Sequence, residues 1–426
     1  MSGITTRWRA ALAVLLLLAV LLALVTWLNL RGEEPLQPDP PTAAAPDATL
    51  IARGAYLARA GNCAGCHTAR GGAAYAGGRG IDTPFGTVYA GNLTPDASGL
   101  GGWTAAQFRR ALWHGRSADG RLLAPAFPYT HFTRVTRADA DALWAFLRSL
   151  SPVAQANRPH ALRWPYDSQA ALAVWRALYF RPGAGDDGLP ANATDQLKRG
   201  AYLVNGLGHC SACHAPRSLL GGSGSLGDSA GSATLPGQRW QAPSLTDPAE
   251  IGIGRRPTAD WVRLLKTGLA DHAAVMGPMA EVVADSTQHL AEADLQAMVA
   301  YLQALAPASA PAPTRLPSRD AVVMDRGRQL YADHCASCHG PQGQGVRGAY
   351  PALAGNPTVT LPEPGNLLQA ITGGGFAPAT AGNPRPYGMP PFDLPHDDLA
   401  ALATWLRASW GHDAAPVSPV QVVLTR

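Results

Sequence analysis

All six cysteines of this chain fall into three copies of one pentapeptide, and that pattern governs what the rest can fold around. The copies are Cys63-Ala64-Gly65-Cys66-His67, Cys210-Ser211-Ala212-Cys213-His214 and Cys335-Ala336-Ser337-Cys338-His339. Cys-x-x-Cys-His is the spacing of covalent c-type haem attachment. Two thiols three positions apart on one helical turn reach the two vinyl groups of one porphyrin, and the next residue presents its imidazole to the iron. Cys63 and Cys66 with His67, Cys210 and Cys213 with His214, and Cys335 and Cys338 with His339 are therefore expected to hold three haem c groups. Zinc needs four converging ligands. Three paired motifs leave an awkward ligand count, and the adjacent histidine would have no purpose. Disulfides suit an exported chain, but they do not explain the placement of these cysteines.

The repeat extends beyond the motifs. Arg53-Gly54-Ala55-Tyr56-Leu57 recurs as Arg199-Gly200-Ala201-Tyr202-Leu203, and more loosely as Arg326-Gly327-Arg328-Gln329-Leu330-Tyr331. A closing helix opened by acidic residues is expected downstream of each motif, over Asp139 to Leu150, Glu292 to Leu305 and Asp397 to Arg407. Apolar residues recur there at helical spacing: Leu143, Phe146 and Leu147; Leu295, Met298 and Leu302; Leu399, Leu402 and Leu406. Acidic groups in a first turn suit the helix N-terminus. The expected fold is mainly α, each unit a helix, a motif, a long loop and a closing helix. A unit with so many loop residues (the chain holds 46 Gly and 37 Pro) buries a thin core unless a porphyrin fills it.

The N-terminus carries the second strong signal. Arg7 and Arg9 precede an uncharged run from Ala10 to Leu30, and Glu33 and Glu34 follow it. A helix of that length roughly crosses a 30 Å hydrocarbon core, and its basic side is expected in the cytoplasm. A cleaved signal peptide is the competing reading. Its apolar region is usually about 7–15 residues, and Ala43-Ala44-Ala45 lies well past the run. A retained anchor is expected, with the rest of the chain on the periplasmic side of the bacterial inner membrane. The formal charge of +4 is too mild to imply nucleic acid.

Expected boundaries follow: 1–47 for anchor and Pro/Ala linker, 48–156 for unit one, 157–190 for an aromatic-rich connection packed along the domain surfaces, 191–306 for unit two, 307–319 for a Pro/Ala/Ser spacer, and 320–426 for unit three and tail.

The far side of each iron needs its own ligand, and Met paired with His raises the potential. Unit three offers Met389, in Tyr387-Gly388-Met389-Pro390-Pro391. Unit two offers Met279, with Met276 next, in Val275-Met276-Gly277-Pro278-Met279. Met298 reads as core filler on a helix face, and Met324 is badly placed ahead of its motif. Unit one has no Met in the corresponding loop, Pro125-Ala126-Phe127-Pro128-Tyr129-Thr130-His131-Phe132. His131 is the candidate there and His114 the next. His/His ligation would give haem one the lowest potential.

Longer strings carry a family resemblance: Phe85-Gly86-Thr87-Val88-Tyr89, Asn92-Leu93-Thr94-Pro95-Asp96, Gly277-Pro278-Met279-Ala280-Glu281-Val282-Val283, Ser286-Thr287-Gln288-His289-Leu290, and Trp405-Leu406-Arg407 with Ser409-Trp410-Gly411. In these the chain resembles the triple-haem cytochrome c subunits of bacterial membrane-bound alcohol, gluconate, sorbitol and aldehyde dehydrogenase complexes. The resemblance implies three tandem cytochrome c-like domains, Met279 and Met389 as iron ligands, a separate dehydrogenase subunit of flavin, quinone or molybdenum type, and ubiquinone as a common electron acceptor. Phe127 stands where that family usually has Met, a form that accompanies molybdenum-containing partners.

No nucleophile motif, phosphate loop or dinucleotide fingerprint is present, so the expected role is electron transfer with no substrate chemistry of its own. The missing Met in unit one leaves a haem enzyme with an open site as the alternative. A terminal-oxidase subunit would be expected to show further spans.

Overall fold

The computed structural model describes residues 2–33, 35–36, 47–183, 187–228, 233–234, 239–305 and 320–425, the side chains of 2–6 and 233–234 excepted. Most of the Pro/Ala tract before unit one, and the whole spacer 307–319, lie outside these residues. Helix dominates, and the strands are short pairs. The chain divides into two compact units, Met1–Gly54 with Ala76–Gly185, and Ala55–Tyr75 with Asp186–Arg426.

The first unit begins with the helix Ser2–Leu30. Its 24-residue stretch Arg7–Leu30, whose most apolar window has a mean hydropathy of 2.9 and is not buried at all, is long and apolar enough to cross a membrane. A hairpin pairs Gly80–Thr83 with Gly86–Tyr89, and Ala161–Leu162 adds a third antiparallel strand, Gly86 facing Leu162. Gly86 sits at φ 121°, and a side chain there would run into the Ala161 carbonyl. The helices Ala105–His114, Arg137–Ser149 and Gln169–Tyr179 complete the unit. Thr104 and Gln107 form a reciprocal capping box at the start of Ala105–His114, satisfying two otherwise orphaned amides.

In the second unit the helix Asp195–Tyr202 runs into a π-helical turn, Leu203–Leu207, and packs on Glu292–Ala304. Ala321–His334 packs likewise on His396–Leu406. The last pair encloses a core of Leu330, Tyr331, Val359, Leu368, Leu399, Leu402 and Leu406.

The three expected closing helices are present as Arg137–Ser149, Glu292–Ala304 and His396–Leu406. Their apolar stripes point inward: Leu143, Leu147, Leu295, Met298, Leu302, Leu399, Leu402 and Leu406 are all buried. Met298 is core filler, as its position on the helix face implies.

Each closing helix meets an opening helix at a glycine. A Cβ on Gly54 would collide with the Ala142 carbonyl and lie 2.7 Å from the Phe146 Cβ; on Gly200 it would collide with the Ala297 carbonyl and lie 2.7 Å from the Tyr301 Cβ. On Gly327 it would collide with the Ala401 carbonyl and lie 2.5 Å from the Trp405 Cβ. Beside every crossing an arginine, one residue before the glycine, grips an aspartate of the closing helix. Arg53 Nε donates to Asp139 at 2.7 Å. Arg199 grips Asp294 through two bonds of 2.8 and 2.7 Å, and Arg326 grips Asp398 through two of 2.7 and 2.6 Å. Paired bonds of this kind add geometric specificity to charge.

The segment 157–190 packs on the first unit, Ala161–Leu162 on the hairpin and Trp175 and Phe180 on Tyr129, and Gln169–Tyr179 also packs against the apolar helix Ser2–Leu30. Asn29 Nδ2 donates to the Ala173 carbonyl at 2.9 Å, and Arg31 Nη2 donates to the Phe180 carbonyl at 2.8 Å.

The crossings make a specific expectation. Gly200→Ala and Gly327→Ala each force the paired helices apart and cost about 1–3 kcal/mol or more. Gly102, which has open space around its Cα, tolerates alanine. Thermal unfolding followed by circular dichroism should show the first two midpoints fall and the third stay within about 0.5 kcal/mol of the parent.

Candidate haem sites

Each pentapeptide forms a short helix or its approach: Cys63–His67, Ser211–His214 after Cys210, and Ala336–His339 after Cys335. The first follows Asn62, held in the left-handed region at φ 48°. A Cβ on Gly65 would meet the Asn62 side-chain amide, which would have to turn aside. The second follows the π-turn and His209, at φ 37°. In the third, Tyr331 Oη donates to the Gly340 carbonyl at 2.5 Å, and the Gly345 amide donates to the His339 carbonyl at 2.8 Å. The motif is thus stitched to the helix before it and the loop after it.

The imidazoles of the second and third motifs are fixed by one device. His214 Nδ1 lies 2.7 Å from the Pro243 carbonyl, and His339 Nδ1 lies 2.9 Å from the Pro351 carbonyl. A carbonyl can only accept, so Nδ1 carries the proton and Nε2 keeps a lone pair that could bind a metal. Burial lowers the pKa of both rings, with the carbonyl bonds opposing, and favours the neutral form that ligates. Burial also pushes the thiols up, to about 12 for Cys63 and Cys210 and to about 11 for Cys335. The donor set fits a covalently held haem: paired thiols and, in the second and third motifs, an imidazole oriented by its far nitrogen, the outer-shell arrangement that fixes ligating histidines.

Among the distal candidates, Met389 lies in the two-residue strand Gly388–Met389, opposite Gly375. It packs against the same core as Cys335, Leu330 and Leu399, so the structure brings it and the third motif to one core. Met279 is the second residue of the helix Pro278–Asp285, entered through Gly277 at φ 55°. A Cβ on Gly277 would strike the Trp240 indole. This helix packs against Cys63–His67, the first motif. Met276 points elsewhere, its Cε 3.1 Å from where a Cβ on Gly375 would stand. Met324 is partly buried in the first turn of Ala321–His334, ahead of its motif.

In the first unit His131 is half-buried on the helical turn Tyr129–Phe132, its Nδ1 3.1 Å from Thr130 Oγ1. His114 is buried at the end of Ala105–His114, with its ring edge-on to Phe180 at 6.3 Å. Phe127, in the place of the usual Met, packs edge-on against Phe132 at 5.5 Å.

The sequence did not single out the Pro243 and Pro351 carbonyls. They lie 29 and 12 residues beyond their histidines, so no fixed spacing announces them. The arginine–aspartate pairs were half visible: the Arg-Gly dipeptides repeat, but the aspartates read only as helix-opening residues.

A sequence profile described as Cytochrome c matches residues 51–151, 197–306 and 324–410. The chain belongs to the cytochrome c family. Its cofactor is accordingly covalent haem c with iron, and its work is electron transfer. Curated relatives agree in kind. The cytochrome c subunit of alcohol dehydrogenase (quinone) from Gluconobacter oxydans strain 621H is 39% identical over 386 residues, covering 86% of this chain and 80% of that one. The gluconate 2-dehydrogenase cytochrome c subunit of Pantoea cypripedii is 36% identical over 86% of each chain. The fructose dehydrogenase cytochrome subunit of Gluconobacter japonicus is 35% identical over 93% of this chain and 87% of its own. The dehydrogenase-subunit resemblance read from the sequence therefore holds over most of the length.

Acid tests the clamps of this cytochrome. Burial works to raise the Asp294 carboxyl, but the hydrogen bonds from Arg199 and Tyr56 outweigh it and hold the group below its usual range. A carboxylate depressed in the folded state adds stability above its unfolded pKa of about 3.9, and that stability is lost as pH falls through the folded value. Asp294→Asn is expected to cost about 1.5–3 kcal/mol at pH 7 and progressively less below pH ~4. Urea unfolding at stepped pH checks this: the two stability curves should converge in acid.

Proposed function

We propose that this cytochrome carries three covalent haems and relays electrons from a dehydrogenase subunit outside the cytoplasm to ubiquinone or another acceptor of the respiratory chain. The observation that carries the reading is the recurrence of one attachment unit, with the ligating imidazoles of two copies turned by a backbone carbonyl. Haem supplies a one-electron carrier, and the protein sets ligand, burial and spacing around it.

In this reading Cys63 and Cys66, Cys210 and Cys213, and Cys335 and Cys338 form the thioether bonds, and His67, His214 and His339 are the proximal ligands. Met279 and Met389 are the distal ligands of haems two and three. Met389 is supported by its place on the core that Cys335 also lines; Met279 rests on the family resemblance, its helix packing on the first motif. His131 is the distal ligand of haem one. The domains run 48–156, 191–306 and 320–426, preceded by the anchor and joined by 157–190 and 307–319.

Three relatives are named as cytochrome subunits of alcohol, gluconate and fructose dehydrogenases. Their names support a dehydrogenase partner, here taken to be of flavin, quinone or molybdenum type, and they speak against the haem-enzyme alternative, in which this chain would do the chemistry. The apolar helix Arg7–Leu30, with its basic residues before it, supports a retained anchor and a periplasmic location on the bacterial plasma membrane.

Purified from membranes, the chain should show three haems by pyridine haemochrome assay and by intact mass. Cys335→Ala combined with Cys338→Ala should leave two, while a colourless parent with unmodified thiols sinks the proposal. Met389→Ala and Met279→Ala should each abolish one Met–iron charge-transfer band and lower one of three resolved potentials, since Met/His ligation raises the potential. His131→Ala should leave both bands and shift only the remaining haem.

A further inference from the structure

The helix Gln169–Tyr179 has an outward face that water does not explain. Its one charged residue, Arg176, is turned inward and is only 1% exposed. Outward it shows Ala170, Val174 and Leu178, an apolar stripe at i, i+4 and i+8, with Val174 49% and Leu178 52% exposed. Trp164, just before the helix, is 83% exposed. A surface helix ordinarily turns a polar face to solvent.

What the helix rests on says what covers it. The apolar helix Ser2–Leu30 is exposed along its described length up to Leu24 and becomes partly buried at Val25 and Leu28 and fully at Asn29. Those are the last turns of the span Arg7–Leu30, the level at which a helix about 1.5 Å long per residue leaves the hydrocarbon. Asn29 Nδ2 donates to the Ala173 carbonyl at 2.9 Å. Arg176 Nη1 donates to the Asn29 carbonyl, and Arg116 Nη2 donates to it at 3.1 Å while its Nε pairs with Glu33 at 2.7 Å. The carbonyls of a helix C-terminus are otherwise orphaned, and cations there complement the helix dipole. The two guanidiniums therefore finish the span and fix Gln169–Tyr179 at the depth of its exit.

We propose that Gln169–Tyr179 is a membrane-surface helix, its Ala170, Val174 and Leu178 stripe and Trp164 seated at the boundary between lipid headgroups and acyl chains. Aromatic residues favour that zone, and an apolar helical face sinks into it. The partner is the bilayer itself, and the first domain is held against it at a set angle. This rests on the reading of Arg7–Leu30 as a retained span.

The test uses the full haem-loaded chain in vesicles of phosphatidylcholine and phosphatidylglycerol. Thioether bonds consume the native thiols, so Val174→Cys and Leu178→Cys each give one nitroxide-labelling site, with the unsubstituted chain as the blank. Val20→Cys marks the span, and Leu219→Cys, at a residue 99% exposed, marks water. Power-saturation resonance should show labels at 174 and 178 relaxed by oxygen over a soluble nickel chelate by a ratio several-fold above that at 219 and below that at 20. A ratio at 174 and 178 equal to that at 219, with 20 still in lipid, overturns the proposal and leaves the span intact. Water-like ratios at 20 as well remove the span reading and the proposal together. Protection from both relaxants only when a dehydrogenase subunit is bound would assign the face to protein and overturn it too. Leu178→Cys stands in should Val174→Cys lose its haem spectrum.

Discussion

Three times in this chain two helices cross so closely that the residue between them can have no side chain. Gly54, Gly200 and Gly327 each face a backbone carbonyl and the Cβ of an aromatic residue one turn along. The contact is backbone against backbone, so the distance between the helices is set by van der Waals radii and not by the packing of flexible groups. An arginine–aspartate pair beside each crossing fixes the rotation that sterics alone leave open. Because each opening helix leads into its cysteine pentapeptide, in the second case through a π-turn, the crossing also helps determine where the thiols and the imidazole emerge.

From that fixed point the rest of each unit is built from long loops, short hairpins and a few further helices. Such loops bury little on their own, and the core of the third domain has donors at its edge: Cys335 and Met389 pack on the same cluster of Leu330, Tyr331 and Leu399. The polypeptide thus supplies two rigid helices and a set of donors, and a haem held by Cys335, Cys338 and His339 would add apolar surface to this core. Electron transfer suits this plan, because a carrier that gains and loses one electron needs a stiff surround and no moving lid.

Much of this was legible in the sequence, for physical reasons. The closing helices were readable because a 3.6-residue apolar period has one structural meaning over three turns. The candidate attachment sites stood out because thioether chemistry to one porphyrin demands that spacing. Other features were not. The residues Ala170, Val174 and Leu178 have the composition of core, and nothing in a linear pattern tells a face turned to lipid from one turned to protein. The pairing of Asn29 with Ala173 and Arg176 joins positions 144 and 147 residues apart, beyond any local signal. The distal ligand of haem one was ambiguous because Phe127 removes the expected sulfur, and the two histidines nearby, His114 and His131, differ in burial but not in type.

The proline carbonyls that orient His214 and His339 have an evolutionary corollary. A backbone oxygen survives every side-chain replacement, so the group that aims each imidazole is invisible to alanine scanning and immune to single-base missense drift at its own codon. It can be lost only by displacing the main chain, through an insertion, a deletion or a slipped loop. Substitutions in these loops that keep the main chain in place therefore leave both imidazoles aimed, whereas a change in loop length would release them.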